Sequence, residues 1–460
     1  MSAVIAPERL APAADDARLP RLFTLRFASR GASVAVNTIL TGQVMFYATT
    51  VLGLAPGLLG LLFMLANLVD GVVDLGAGAL IDRTNTRFGK GRPYELVLVP
   101  MWLLTIALFS TPQMSPGAQT AYVFIVFVLI SSFCRTLLGT ADGVYLKRAL
   151  SGDGRYAKLS SRSGVVVIGI AAAANLALPQ AIAQWGERPG GWSVIATLYG
   201  LPMMALGLVR FFTVRERPDV SEAVTAPKVP VRVGLRSVFH NRYVFVFAGM
   251  VGAARVASTI TGMVGVFFFT FVLGDVRLMS FVMLGGLVTP VVMLCFPAAA
   301  RRIGSMNFIR LTLAVAMVGY AAVWLFPHRA AVVIGGQMVG ALSYTVVMLG
   351  GYFMLQCMSY GEWRTGIRAD ATTSAVVGIA GRLGAGIAAA IVGALLAAHG
   401  LEAGTPTQPE AVGGVLTSLY ALVPFSTSAL MFALTFAYRL DRRIEGIRAD
   451  LQVRAEAGVG

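Results

Sequence analysis

Runs of twenty or more largely apolar residues recur along this sequence, separated by short clusters of arginine and lysine, and nothing else limits its fold so severely. A helix of ~20 residues crosses the ~30 Å of hydrocarbon in a bilayer and satisfies its own backbone hydrogen bonds there. Twelve spans are expected, near 23–52, 57–81, 94–112, 118–146, 161–185, 192–213, 243–274, 278–299, 308–326, 330–358, 371–399 and 412–438. Only 13% of the residues are charged, against about 25% in soluble domains. The reading is an all-α membrane protein.

The formal charge is +15, and its placement is informative. "DRTNTRFGKGRP", "KRALSGDGRYAKLSSR", the segment from Arg210 to Arg242, "RRIG", "EWRTGIR" and "RLDRRIEGIR" all fall on one side of the expected spans, with only Arg188, Arg277 and Arg329 on the other. This is the positive-inside pattern, so both termini are expected in the cytoplasm and the chain in the cell inner membrane, in contact with lipid. Nucleic-acid binding is excluded, because no soluble module carries the basic residues.

The longest segment between spans, "RERPDVSEAVTAPKVPVRVGLRSVFHNR", lies at the centre. It divides the chain into a tail at 1–22, a six-helix bundle at 23–213, a linker at 214–242, a second bundle at 243–438 and a tail at 439–460. "GRYAKLSSRSG" before the fifth span is echoed by "EWRTGIRADATTS" before the eleventh. Two related six-helix halves suggest the major facilitator architecture, with a site near the midplane between them. The first twenty residues read as a disordered tail, and Trp185, Trp192 and Trp324 as interfacial anchors on the outer side.

Asp70 and Asp74 stand one turn apart on the same face of the second span, near the bilayer centre. An acid there costs at least ~2.5–3.5 kcal/mol on insertion scales, so a functional pair facing the bundle interior is expected. Such a pair can take up a proton or, with further oxygens, sodium; purely structural ion pairing is the alternative. Asp142 lies near the inner end of the fourth span, and Arg135, Arg162, Arg255 and Arg382 are candidate counter-charges. If all face inward, the four arginines outnumber the three aspartates and favour an anionic substrate. Arg255 is well inside the seventh span, beside Ser258 and Thr259, whose hydroxyls suit a sugar. After the second span, Asp82, Arg83, Arg87, Lys90 and Arg92 are placed to form ion pairs that close the cytoplasmic side in one state and break in the other. The three cysteines show no paired spacing, the three histidines have no metal-ligand neighbour, and no Ser/His/Asp set or nucleotide loop is present. Neither an enzyme nor a cofactor is expected.

"YATTVLGLAPGLLGLLFMLANLVDGVVD", "IDRTNTRFGKGRPY", "ADGVYLKRAL" with "GRYAKLSSRSG", and "YGEWRTGIRADATTSAVVGIAGRLG" together resemble the glycoside–pentoside–hexuronide:cation symporters, the family of the melibiose permease. The likeness covers nearly the whole chain. It implies that Asp70 and Asp74 handle the cation and that Arg382 stands where members carry a lysine facing the cation site. It also implies that Asp142 and Arg162 fall on the family's sugar-binding aspartate and arginine. Departures are equally specific. The acidic position of the first helix falls on Val34, and the stacking aromatic of the fourth on Leu146, beside Tyr145. The oxygen-bearing positions of the sodium shell fall on Val73 and Gly139, which favours a proton over sodium.

The resulting expectation is a monomeric secondary transporter importing a glycoside or sugar acid with a cation by alternating access. Asp70, Asp74 and Arg382 would couple; Asp142, Arg162, Arg255, Tyr145 and Thr259 would bind substrate. The alternative in the same fold is a carrier of a lysolipid or other amphiphile. A drug exporter and a scaffold without turnover are weaker rivals.

Overall fold

The computed structural model describes residues 21–84, 86, 89, 91–149, 153–214, 231–401 and 408–456. All twelve expected spans are helical, and among the described residues the only bridge is the isolated pair Thr86–Gly89. Among the described residues, nine helices, from Pro116–Asp142 to Glu410–Ala437, are long and apolar enough to cross a membrane. The first three spans miss that measure for separate reasons. The first is divided into Arg21–Thr41 and Val44–Thr50. The second, Pro56–Arg83, has a shorter apolar stretch, Pro56–Gly71, which contains Asp70 and ends before Asp74. The third opens with a tight turn at Arg92–Val97 before Leu98–Leu108.

Helix continues beyond the apolar runs wherever polar sequence still favours it. The fifth span starts at Asp153, and the tenth reaches Thr365. Within the linker, 215–230 lies outside the described residues, and Val231–Phe239 is a helix packed on the second half. There Asn241 Nδ2 donates to the Cys357 carbonyl at 2.7 Å, and the Ser237 and Thr365 hydroxyls pair at 2.9 Å. The C-terminal helix Ile444–Glu456 docks on the end of the tenth span, where Trp363 Nε1 donates to Asp450 Oδ2 at 3.0 Å.

The two halves meet firmly at the end of the bundle opposite the arginine clusters. Gly60 of the second span and Gly393 of the eleventh (Asp370–Ala398) bring their backbones together, and a Cβ on Gly393 would lie 2.7 Å from Gly60 Cα. Small residues permit this approach. Phe46 meets Phe267 edge to face at 4.9 Å, and Gln180 Nε2 donates to the Ser280 hydroxyl at 3.2 Å. The buried apolar core runs through both halves here. Trp192, expected at the interface with lipid, is instead part of that core, stacked on Phe109 at 5.4 Å. Aromatic partners from the first and third spans enclose its ring, so it contributes packing rather than anchoring. At the arginine-rich end the second half has a separate core around Phe247, Phe353 and Tyr438.

Candidate coupling and substrate site

The fourth span does not run as a uniform α-helix. It is α-helical over Pro116–Val128, widens to a π-helix over Leu129–Cys134, and resumes as α-helix at Arg135. A π-turn inserts a residue into the helical register and turns the face that follows; such turns recur at functional sites. Here it precedes Arg135 and Thr136, both of which face the second span. Thr136 Oγ1 donates to Asp70 Oδ1 at 3.4 Å, and Ser132 Oγ donates to the Ala66 carbonyl at 3.3 Å.

From the opposite half, Arg382 of the eleventh span reaches the acid pair. Its guanidinium forms an ion pair with Asp74, and its Nε lies 3.9 Å from Asp70 Oδ2. One cation therefore bridges two acids and both halves. These side chains line a cavity of about 570 Å³ with Asn67, Phe127, Arg135 and Thr136. A second cavity, of about 450 Å³, adjoins it along Asn67, Phe127 and Arg135 and continues between the halves past Thr38, Asn175, Ser258 and Thr259. Its wall alternates hydroxyls and amides with Phe63, Met263, Met279 and Met283. That mixture suits a molecule with hydrogen-bonding edges and apolar ring faces.

Asp70, Asp74 and Arg382 are thus brought together as expected, and Thr259 lines the adjoining cavity. The other expected substrate residues lie apart from both cavities. Asp142 pairs with Arg30 at 3.2 Å and with Arg210 at 2.7 Å. Glu95 completes a charge-balanced tetrad through an ion pair with Arg210 and a 3.8 Å approach to Arg30. The tetrad joins the first, third, fourth and sixth spans, with Arg210 and Glu95 each 1% exposed. Tyr145 belongs to the same cluster: it is buried, its ring lies under the Arg210 guanidinium at 4.7 Å, and its hydroxyl donates to the Val214 carbonyl at 3.0 Å. Arg162 and Arg255 are exposed, and Arg255 packs beside Gly381.

The expected cytoplasmic gate is described only in part. Arg87 lies outside the described residues, and Asp82 is described only through its helical backbone. Arg83 is exposed. Arg92 is held within the first half, donating from Nε to the Phe211 carbonyl at 2.9 Å with its guanidinium over that ring at 4.9 Å.

Phe127, Asn67, Asn175 and Thr38 were not singled out in the sequence. Each is one polar or aromatic residue in a long apolar run, and only the packing of the spans shows which face the cavity. Arg135, a candidate counter-charge, does not pair with Asp142, which is met by Arg30 and Arg210 instead.

A helical bundle with an ion-paired acid cluster at mid-depth and a polar cavity between its halves defines a membrane transporter. The chain belongs to the MFS/sugar transport protein family, whose model matches residues 27–442. Curated relatives include the isoprimeverose transporter of Lactiplantibacillus pentosus, 24% identical over 90% of this chain and 88% of its own length. The glucuronide carrier protein homolog of Escherichia coli K12 is 23% identical over 89% and 91%. Among solved structures, the D-xylose-proton symporter superposes with a TM-score of 0.60 at 13% identity, covering 90% of this chain and 97% of the other. The nucleoside transporter NupG gives 0.62 at 11%, covering 90% and 98%. At that identity the structural likeness bears on the fold alone, which is that of the major facilitator transporters.

Proposed function

We propose that the protein is a symporter of the cytoplasmic membrane that imports a glycoside or sugar acid with a cation, and that the cation is a proton. The observation carrying this reading is the contact of Arg382 with both Asp70 and Asp74 at the wall of a polar cavity between the halves. Arg382 offsets one of the two negative charges while the acids are empty. A proton arriving on the pair releases Arg382, which loosens the tie between the second and eleventh spans. The halves can then rock around the loaded site. The arginine-rich end is the cytoplasmic one by the positive-inside pattern, so the described conformation is closed toward the outside.

A proton needs only one carboxylate oxygen, whereas sodium takes several oxygen ligands. Beside the two carboxylates, the side-chain oxygens that interact with Asp70 are the hydroxyls of Thr136 and Ser132. Relatives named for isoprimeverose and glucuronide transport support a sugar substrate. The hydroxyls and amides along the second cavity favour a sugar over an amphiphile.

The test is uptake of radiolabelled methyl glycosides and glucuronides into proteoliposomes under separate pH and sodium gradients. Concentrative uptake of one of these compounds is expected with the exterior acid, and it should vanish in Asp70→Asn. Accumulation driven only by sodium would replace the proton in this scheme, and accumulation of none of them would overturn the sugar reading.

A further inference from the structure

Taken alone, the charges lining the two joined cavities sum to zero. Asp70 and Asp74 contribute two negative charges, Arg382 and Arg135 two positive ones, and among the described lining residues no other charged side chain enters either cavity. Asp142 does not alter this sum, because the tetrad of Arg30, Arg210, Glu95 and Asp142 is balanced within itself. The two arginines are engaged very differently. Arg382 is committed to the acid pair. Arg135 stands on the wall shared by the cavities, and its only side-chain hydrogen bond among the described residues is a long one, from Nη1 to the Thr38 hydroxyl at 3.3 Å. A guanidinium has five donors in a planar fork matched to a carboxylate. Beyond that bond and its electrostatic interaction with Asp70, the fork has donors left for a ligand in the cavities it lines.

A cation on the acid pair raises the site to a net charge of plus one. Resting on the symport reading above, we propose that Arg135 is the specificity-determining residue for an anionic substrate: it binds the carboxylate of a uronic-acid glycoside or similar monoanionic sugar acid. The empty site and the site holding both solutes are then neutral, whereas a site holding either solute alone carries a net charge. Enclosing an unpaired charge away from water is expensive, so the two half-loaded forms are the ones hindered from rocking. Obligatory coupling follows from charge balance. Thr38, Asn175, Ser258 and Thr259 remain for the hydroxyls of the sugar, and Phe127 for its ring face.

Methyl β-D-glucuronide and methyl β-D-glucoside differ only in carrying a carboxylate or a hydroxymethyl group, which makes them the probe pair. Their binding to the purified full-length protein is measured by thermal shift at acid pH, for wild type, Arg135→Lys and Arg135→Gln. The apo melting temperature and size-exclusion profile serve as the check on folding. The expected result is that wild type binds the glucuronide about 10- to 100-fold more tightly than the glucoside, the scale of a charge-assisted hydrogen-bonded pair. Arg135→Lys should keep part of that preference and Arg135→Gln lose it. In proteoliposomes, glucuronide uptake should follow a pH gradient and be insensitive to a potassium–valinomycin potential. Equal binding of the two compounds by wild type, a preference surviving Arg135→Gln, or uptake driven by the potential would overturn the role of Arg135 while leaving sugar symport standing. Binding of neither compound would overturn the sugar reading and this inference with it.

Discussion

Arg382 and Asp74 belong to different halves of the molecule, yet their side chains form an ion pair near the middle of the bundle. The pair therefore does two things together. It neutralises an acid that the bilayer tolerates poorly, and it ties the second span to the eleventh. Whatever neutralises Asp74 in place of Arg382 also unties the halves.

Asp74→Asn should abolish accumulation against a gradient while leaving solute exchange measurable, because Arg382 then lacks a partner that the cation can replace. Arg382→Ala should be more harmful, because it leaves Asp74 without its ion-pair partner and Asp70 with only Arg135 nearby. Counterflow and concentrative uptake, measured in parallel, separate the two effects. Equal accumulation by Asp74→Asn and wild type would remove this pair from the coupling scheme.

Gly393 has no room for a side chain, since an added Cβ would meet the Pro56 carbonyl at 2.5 Å and Gly60 Cα at 2.7 Å. Gly393→Leu should hold the outer end apart. A cysteine placed at Thr41, on the cavity wall, should then react faster with an impermeant maleimide added outside, in a background with Cys134, Cys295 and Cys357 replaced by serine. Transport should fall about tenfold or more, as expected if closure is disfavoured by at least ~1.4 kcal/mol. Unchanged labelling would mean that the outer end does not open between the second and eleventh spans.

The tetrad around Arg210 predicts a stability effect at a residue first expected to touch substrate. Asp142→Ala leaves Arg30 and Arg210 sharing only Glu95, and Glu95→Ala leaves them sharing only Asp142. Glu95→Ala should destabilise the first half by about 3–5 kcal/mol, and Asp142→Ala by less because its carboxylate is a third exposed, both read as a lower Tm of the apo protein in detergent. Full stability of both variants would show that the tetrad is dispensable.

The π-turn at Leu129–Cys134 is open to a direct test. Deleting Ser131 should restore a uniform α-helix and turn Arg135 and Thr136 by about 100° relative to the preceding turns. The expected outcome is a folded protein, judged by size exclusion, that has lost cation-dependent uptake. Retained coupling would mean that the widened turn does not position Arg135.

The sequence by itself determined the membrane class, the spans, the two-half plan and the acid pair. These follow from local chemistry: a long apolar run has to be a spanning helix, and an acid inside one needs a reason that lies in the protein. Arg382 was also legible, through a stretch resembling a known family. Only the tertiary structure decided which charges meet. Asp142, Arg162 and Arg255 looked equivalent to Asp70 and Arg382 along the chain, yet Asp142 is taken up by Arg30 and Arg210, and Arg135 is turned toward Asp70 after a widened helical turn that no residue pattern announces. The rotation of each helix about its axis is set by packing against neighbours distant in sequence, so the facing of a lone polar side chain is a property of the assembled bundle.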